Sequence, residues 1–496
     1  MRPTKSRRKP SESLPAAERG ERFSNYRLIS ARYFSSGPGA RLGEISMRWI
    51  LLLVCAMLLC ERGLVSQDAL ATRPPMGWNS WDGFGTTINE AQVKANAQWM
   101  AEHLKAFGWQ YVTVDMEWFV SNPTAEGNSK SFQYSLDSNG RYTPAVNRFP
   151  SAANGAGFKP LADYVHSLGL KFGIHILRGI PKQAVANKLA IADSPYTAAD
   201  AADTSDTCPW NFDTFGTIAT QSAAQAYYDS IAKMYAGWGV DLIKVDCISS
   251  HPYKGDDIRM IRQALDKAGR PIVLSLSPGP APVDKLDEMR KYAQMWRISD
   301  DVWDIWHNDG PYPKGLGDQF AYVAAWAGKG EPGHWPDADM LPLGRLGPAP
   351  GWEQPRHTRL SHDEQRMLMT LWAIFPSPLM VGGDLPSADA WTLSLLTNPE
   401  VIAVDQHSTG NHPVINTGKS AVWLARAESE DGHYLAVFNL TEANAHLRYE
   451  WKDLGLPGKA YQLRDLWEHK DLGSASALAA ELPPHACVLY RLQPAR

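Results

Sequence analysis

Between Pro74 and about Leu385, short β-type runs alternate with amphipathic helical stretches eight times over, and few folds accept that order. Asn89-Glu90-Ala91-Gln92 opens one helix like a capping box. Val93, Ala97, Met100, Leu104 and Phe107 follow at helical spacing, Gly108 stops the helix, and a strand begins at Tyr111. The same grammar recurs before the strands predicted at Lys171 to Ile176 and Val240 to Asp246. Further strands are predicted at Met76 to Trp81, Ile272 to Leu276, Met295 to Ile298, Gly333 to Met340 and Pro378 to Gly383. No GxGxxG or GxxxxGK[ST] turn follows any of them, so a closed (β/α)₈ TIM barrel is favoured over an open doubly wound sheet.

After Asp405 the period changes to two. Ala421 to Ala425, Tyr434 to Leu440, Leu447 to Trp451 and Ala486 to Leu492 read as strands of a small antiparallel β-sandwich. The expected organisation is therefore a barrel over residues 67–405 and a sandwich over 406–496. Residues 1–66 have another character. They hold 12 Lys/Arg against 5 Asp/Glu, which leaves 37 against 48, a net charge of −11, for the rest of the chain. Met47-Arg48 precedes eleven apolar residues, Trp49 to Leu59, too few to span a bilayer. That pattern reads as an N-terminal extension with a secretory signal peptide, Met47 being a candidate start, and implies export to a secreted or periplasmic location. An acidic body with no integral membrane segment argues against nucleic acid or an anionic membrane as partner. A neutral substrate such as a carbohydrate fits, and the oligomeric state is left open.

The residues with chemical potential sit at predicted strand ends, where barrel enzymes build their sites. In Val240-Asp241-Leu242-Ile243-Lys244-Val245-Asp246, positions i and i+2 share a face, so Lys244 and Asp246 point together into the barrel mouth. A neighbouring ammonium keeps a carboxylate ionised, as a nucleophile requires. Arg297, Ser299 and Asp301 share parity on the sixth strand, which sets Asp301 across the mouth from Asp246. Two opposed carboxylates suit glycoside hydrolysis, one attacking the anomeric carbon and one protonating the leaving oxygen, roughly 5 to 5.5 Å apart for retention. Asp115 ends the second strand, and His175 ends the third, where it can bind a substrate hydroxyl.

Trp78, Trp81, Trp118, Trp303 and Trp335 fall at or just after strand ends, as sugar-stacking platforms or as core. His175, His251, His307 and His334 show no HxH or HExxH spacing, so neither a metal nor another cofactor is expected. Of the three cysteines after residue 66, Cys208 and Cys247 can pair in an oxidising compartment, or all three are buried thiols. Asn439-Leu440-Thr441 is a glycosylation sequon, meaningful only in a eukaryotic secretory pathway.

Several segments together resemble the α-galactosidase (melibiase) family, glycoside hydrolase family 27. They are Arg73-Pro74-Pro75-Met76-Gly77-Trp78-Asn79-Ser80-Trp81, Leu242-Ile243-Lys244-Val245-Asp246-Cys247, Trp296-Arg297-Ile298-Ser299-Asp300-Asp301 and Trp335-Pro336-Asp337-Ala338-Asp339-Met340-Leu341. The resemblance implies a retaining exo-glycosidase acting on terminal α-D-galactosides, with Asp246 as nucleophile and Asp301 as acid/base. It also implies that Asp115, Lys244 and Arg297 bind sugar hydroxyls and that Trp81, His175 and Met340 shape the wall. Two departures bear on the sugar. Met116 stands where the family usually has a second aspartate, with Glu117 on Asp115's parity as a compensating group. Ser277 stands where many members carry a bulkier segment near the sugar's C2, which keeps N-acetylgalactosaminide, β-L-arabinopyranoside and isomaltose-releasing specificities open.

Overall fold

The computed structural model describes residues 70–123, 131–347, 354–428 and 432–495. The expected leader at 1–66 lies outside the described residues. Eight parallel strands form one sheet: β1 (Met76–Asn79), β2 (Tyr111–Val114), β3 (Lys171–Leu177), β4 (Leu242–Asp246), β5 (Val273–Leu276), β6 (Met295–Arg297), β7 (Trp335–Asp337) and β8 (Leu379–Val381). From β1 to β7 each strand pairs with its neighbours in sequence, and β1 also pairs with β8. A parallel bridge between Leu341, just beyond β7, and Val381 joins the remaining edges and closes the barrel.

The capping box at Asn89 acts as read. Asn89 accepts from the Gln92 N–H while the Gln92 side chain accepts from the Asn89 N–H, opening α1 (Glu90–His103). Ser361 and Glu364 do the same for α2 (His362–Ile374). Gly239, at φ 86°, ends the helix Ser222–Trp238 in the left-handed region and turns the chain into the fourth strand. Strand alternation then sorts the side chains of β4. Leu242 packs in the lumen with Tyr111, Val273 and Met295, whereas Ile243 and Val245 pack outward against helices.

Seven of the eight barrel strands are shorter than expected, and two of them stop where the backbone turns at the barrel mouth. Only Trp335–Asp337 of the predicted 333–340 run pairs, because Asp339 adopts φ 88° and leaves the ladder at the barrel mouth. The end of β2 behaves likewise: pairing stops at Val114, and Glu117 sits at φ 69°.

The C-terminal strands are antiparallel: β9 (Ser408–Asn416), β10 (Ser420–Ala427), β11 (His433–Asn439), β12 (Ala445–Glu450), β13 (Tyr461–Asp465), β14 (Lys470–Ala475), β15 (Ala477–Leu482) and β16 (Cys487–Pro494). Six form a sheet in the order β9-β10-β11-β16-β13-β14, and β12 pairs with β15. Period-two alternation serves two cores at once. Val422, Leu424, Leu435 and Val437 face Trp451 and Leu478 inside the sandwich. Ala421, Trp423, Ala436 and Phe438 belong to the barrel's own hydrophobic core instead. The sequon does not survive this packing: Asn439 is fully buried, and its side-chain amide donates to the carbonyls of Ala443, Leu482 and Pro483.

Candidate active site

A cavity of about 820 Å³ opens at the C-terminal ends of the barrel strands. Lys244 and Asp246 enter it together from β4, and Asp301 faces it from the loop after β6, as strand parity requires. Asp115, Trp81 and Met340 complete the part of the wall anticipated from the sequence. Met116 also lines it, beside Asp115.

The charges are locked by specific partners. Lys244 Nζ lies 3.0 Å from Asp115 Oδ2, and the Asn79 amide donates to the same oxygen at 2.7 Å. Burial would lift Asp115, but Lys244, His175, the Met116 N–H and Asn79 hold its carboxyl far below the usual carboxylate range. Burial likewise opposes the charge on Lys244, and the carboxylates of Asp115 and Asp246 more than offset it, so the ammonium is secured. Asp246 is depressed on balance. Desolvation pushes it up, while the hydrogen bond and charge of His175, the charge of Lys244 and the Cys247 N–H pull it down further. Lys244 therefore has the expected effect, with His175 as a second and unforeseen source of it.

Several residues expected to touch substrate stand elsewhere. His175 is 1% exposed and does not line the cavity; its Nε2 lies 3.4 Å from Asp246 Oδ2, so it supports the carboxylate from behind. Arg297 is also off the main wall. Its Nη2 lies 2.7 Å from Asp339 Oδ2 and 3.3 Å from Asp301 Oδ1, which makes it a clamp on two carboxylates. Ser277 is buried with its hydroxyl unpaired, and the next residue, Pro278, occupies the wall. Trp78, Trp118 and Trp335 are core: their indole N–H groups donate to the carbonyls of Gly383, His175 and Ala71. Trp303 does reach the cavity.

Glu117 is the clearest correction. Parity with Asp115 presumed a strand continuing past Val114, but the chain turns there and buries Glu117 completely, away from the cavity. Its Oε1 accepts from the Asn211 amide at 3.1 Å. Burial pushes both Glu117 and Asp213 above the usual carboxylate range. The two carboxyls interact with each other, and Glu117 is raised the more strongly of the two. Tyr134 donates to Asp213 Oδ1 at 2.5 Å. Glu117 thus ties the β2 loop to the 208–213 loop and does not replace the missing aspartate at Met116.

The cavity also has acidic walls that strand patterns did not single out. Asp339 accepts from the Val302 N–H at 2.6 Å, and burial with the charges of Asp301 and Asp337 lifts it to about 7 against the pull of Arg297. Asp82, directly after Trp81, is 1% exposed, and burial with the charge of Asp339 raises it well above the usual range. Cys208 and Cys247 form a disulfide, anchoring a second loop to the residue after Asp246. Among the described residues Cys487 is the free thiol, held protonated by burial and donating to Thr370. Among the described residues no group of three His, Cys, Asp or Glu side chains is arranged to hold a metal ion.

Comparison with known proteins agrees with this architecture. The family model for α-galactosidase A matches residues 212–407, and that for the α-galactosidase C-terminal β-sandwich domain matches 417–492. An α-galactosidase of Cyamopsis tetragonoloba is 30% identical over 439 residues, covering 87% of this chain and 89% of its own. The crystal structure of a family 27 β-L-arabinopyranosidase from Geobacillus stearothermophilus has a TM-score of 0.82 at 47% identity, covering 86% of this chain and 98% of its own. A putative α-N-acetylgalactosaminidase from Bacillus halodurans has a TM-score of 0.75 at 42% identity, over 85% and 98%. This chain belongs to glycoside hydrolase family 27, the α-galactosidase (melibiase) family, and is a retaining glycosidase.

Proposed function

We propose that Asp246 attacks the anomeric carbon of a terminal α-D-galactosyl unit while Asp301 protonates the departing oxygen, giving a covalent glycosyl-Asp246 ester. Asp301 then takes a proton from water, which attacks the ester and releases the sugar with its configuration retained. The observation that carries this reading is the contrast in setting between two carboxylates that line one cavity. The Asp246 side chain is 16% exposed and is held ionised by His175 and Lys244, whereas the Asp301 side chain is 37% exposed, where water can be activated. Lys244, Asp115 and Asp82 bind hydroxyls of the bound sugar.

Met116 favours a second reading of the sugar. β-L-arabinopyranose has the ring configuration of α-D-galactopyranose without its C6 hydroxymethyl group. A thioether in place of a carboxylate gives the wall no strong acceptor for an extra hydroxyl but can pack against a bare ring carbon. The 47% identity with an arabinopyranosidase supports the same reading. A panel of aryl glycosides separates the two, since pocket contacts of this kind shift discrimination by about 1–3 kcal/mol, or roughly 10- to 200-fold. The best kcat/KM is expected on α-D-galactoside or β-L-arabinopyranoside, and Met116→Asp is expected to move the ratio toward galactoside. A best rate on α-glucoside or α-N-acetylgalactosaminide contradicts the proposal.

The Cys208–Cys247 bond supports maturation in an oxidising compartment, in keeping with export after removal of residues 1–66. On this reading the catalytic barrel spans 67–405 and the sandwich 406–496.

A further inference from the structure

The cavity changes character with depth. Its floor is charged and closed: Asp82 is 1% and Asp115 2% exposed. Its mouth is aromatic and open: Trp210 is 37% and Tyr312 45% exposed, and both line the same cavity. At this mouth His251 Nε2 also lies 3.3 Å from Asp300 Oδ1, beside Asp301.

Trp210 belongs to none of the barrel strands. Strands Ile180–Pro181, Ala202–Thr207 and Thr214–Thr217 form a small antiparallel sheet after β3, and the turn at 208–213 between the last two returns to the barrel mouth. That turn is fastened on both sides of Trp210. Cys208 is bonded to Cys247, Asn211 donates to Glu117, and Asp213 accepts from Tyr134. A half-exposed indole on a loop fixed this firmly is a pre-organised platform, which lowers the entropic cost of binding.

We propose that Trp210, with Tyr312 and the His251–Asp300 pair, forms a subsite for a pyranose ring of the leaving group. The proposal rests on the glycosidase reading above. An exo-acting pocket holds the terminal sugar at its closed floor, so the group that departs past Asp301 lies at the mouth. There the apolar face of a pyranose packs on the indole. Its hydroxyls meet His251 and Asp300, polar groups that a purely aromatic aglycone would desolvate without compensation.

Two substrates that share a glycone isolate the subsite. A glycosyl fluoride leaves the mouth empty, whereas a disaccharide with a hexopyranose leaving group fills it. The readout is kcat/KM for the disaccharide divided by kcat/KM for the fluoride, in wild type, Trp210→Ala and Trp210→Phe, using the glycone preferred in the aryl panel. The ratio is expected to fall at least tenfold in Trp210→Ala, mainly through KM, and to be largely restored in Trp210→Phe. A ratio unchanged in Trp210→Ala, including an equal loss on both substrates, overturns the subsite while leaving the glycosidase reading in place. Wild type inactive on every glycosyl fluoride overturns that reading and the subsite with it.

Discussion

Replacing Asp246 by Asn is expected to lower kcat/KM by at least about 10⁴-fold on any glycoside the enzyme accepts, because no other group replaces the attacking carboxylate. The folded state should survive, since the amide keeps the carboxylate's shape and its nearest partners, His175 and the Cys247 N–H, surround rather than cross-link it. Asp301→Ala should behave differently. Loss of a general acid costs roughly 10²- to 10⁴-fold where the leaving group needs a proton. The cost to bond cleavage should nearly vanish with dinitrophenolate, which departs unaided. Steady-state kcat/KM, which reports the steps up to bond cleavage, on a nitrophenyl, a dinitrophenyl and a sugar leaving group measures this difference. A uniform loss across all three contradicts the role assigned to Asp301.

Arg148→Met is expected to destabilise the barrel by about 3–5 kcal/mol, read as a shift in the midpoint of chemical denaturation. The Arg148 guanidinium is buried, and it donates to the carbonyls of Glu117 at 2.6 Å, Val120 at 2.8 Å and Ile88 at 2.7 Å, and to that of Thr86. Met fills the space of the side-chain stem but removes the guanidinium donors from those carbonyls, of which that of Glu117 keeps the Val120 N–H, and each buried unsatisfied group costs about 1–3 kcal/mol. Arg148→Lys should recover little, since one ammonium does not reproduce a planar fork that reaches four carbonyls. Burial lowers the Arg148 pKa to about 10, which still leaves it cationic at neutral pH. The consequence reaches catalysis, because the Glu117 carbonyl held by Arg148 directly follows the wall residues Asp115 and Met116.

The barrel was legible because each helix carries its own start and stop signals and each strand its own apolar run. Asn89 caps its helix within three residues, and Gly108, at φ 98°, stops the chain before β2. Lys244, Asp246 and Asp301 were legible for a related reason: alternation carries a side chain's direction to the end of the strand. That logic fails where the strand stops. Glu117 was assigned to the cavity by parity, yet pairing ends at Val114, and the turn sends the carboxyl into the protein. Arg297 and His175 share the correct face but lie too deep, behind the carboxylates they support. Trp210 could not be found by local pattern at all. Its position depends on a disulfide to Cys247 and a hydrogen bond from Asn211 to Glu117, contacts between segments 39 and 94 residues apart.

The central claim is that Asp246 carries the sugar covalently, and Asp301→Ala offers the direct test. With a dinitrophenyl glycoside of the preferred sugar, the first step should run without an acid while the second lacks its base, so the ester should accumulate. Mass spectrometry of the quenched protein should show one added glycosyl unit per chain, and digestion should place it on the peptide containing Asp246. A label on any other residue, or turnover with no covalent species and inverted product, contradicts the account.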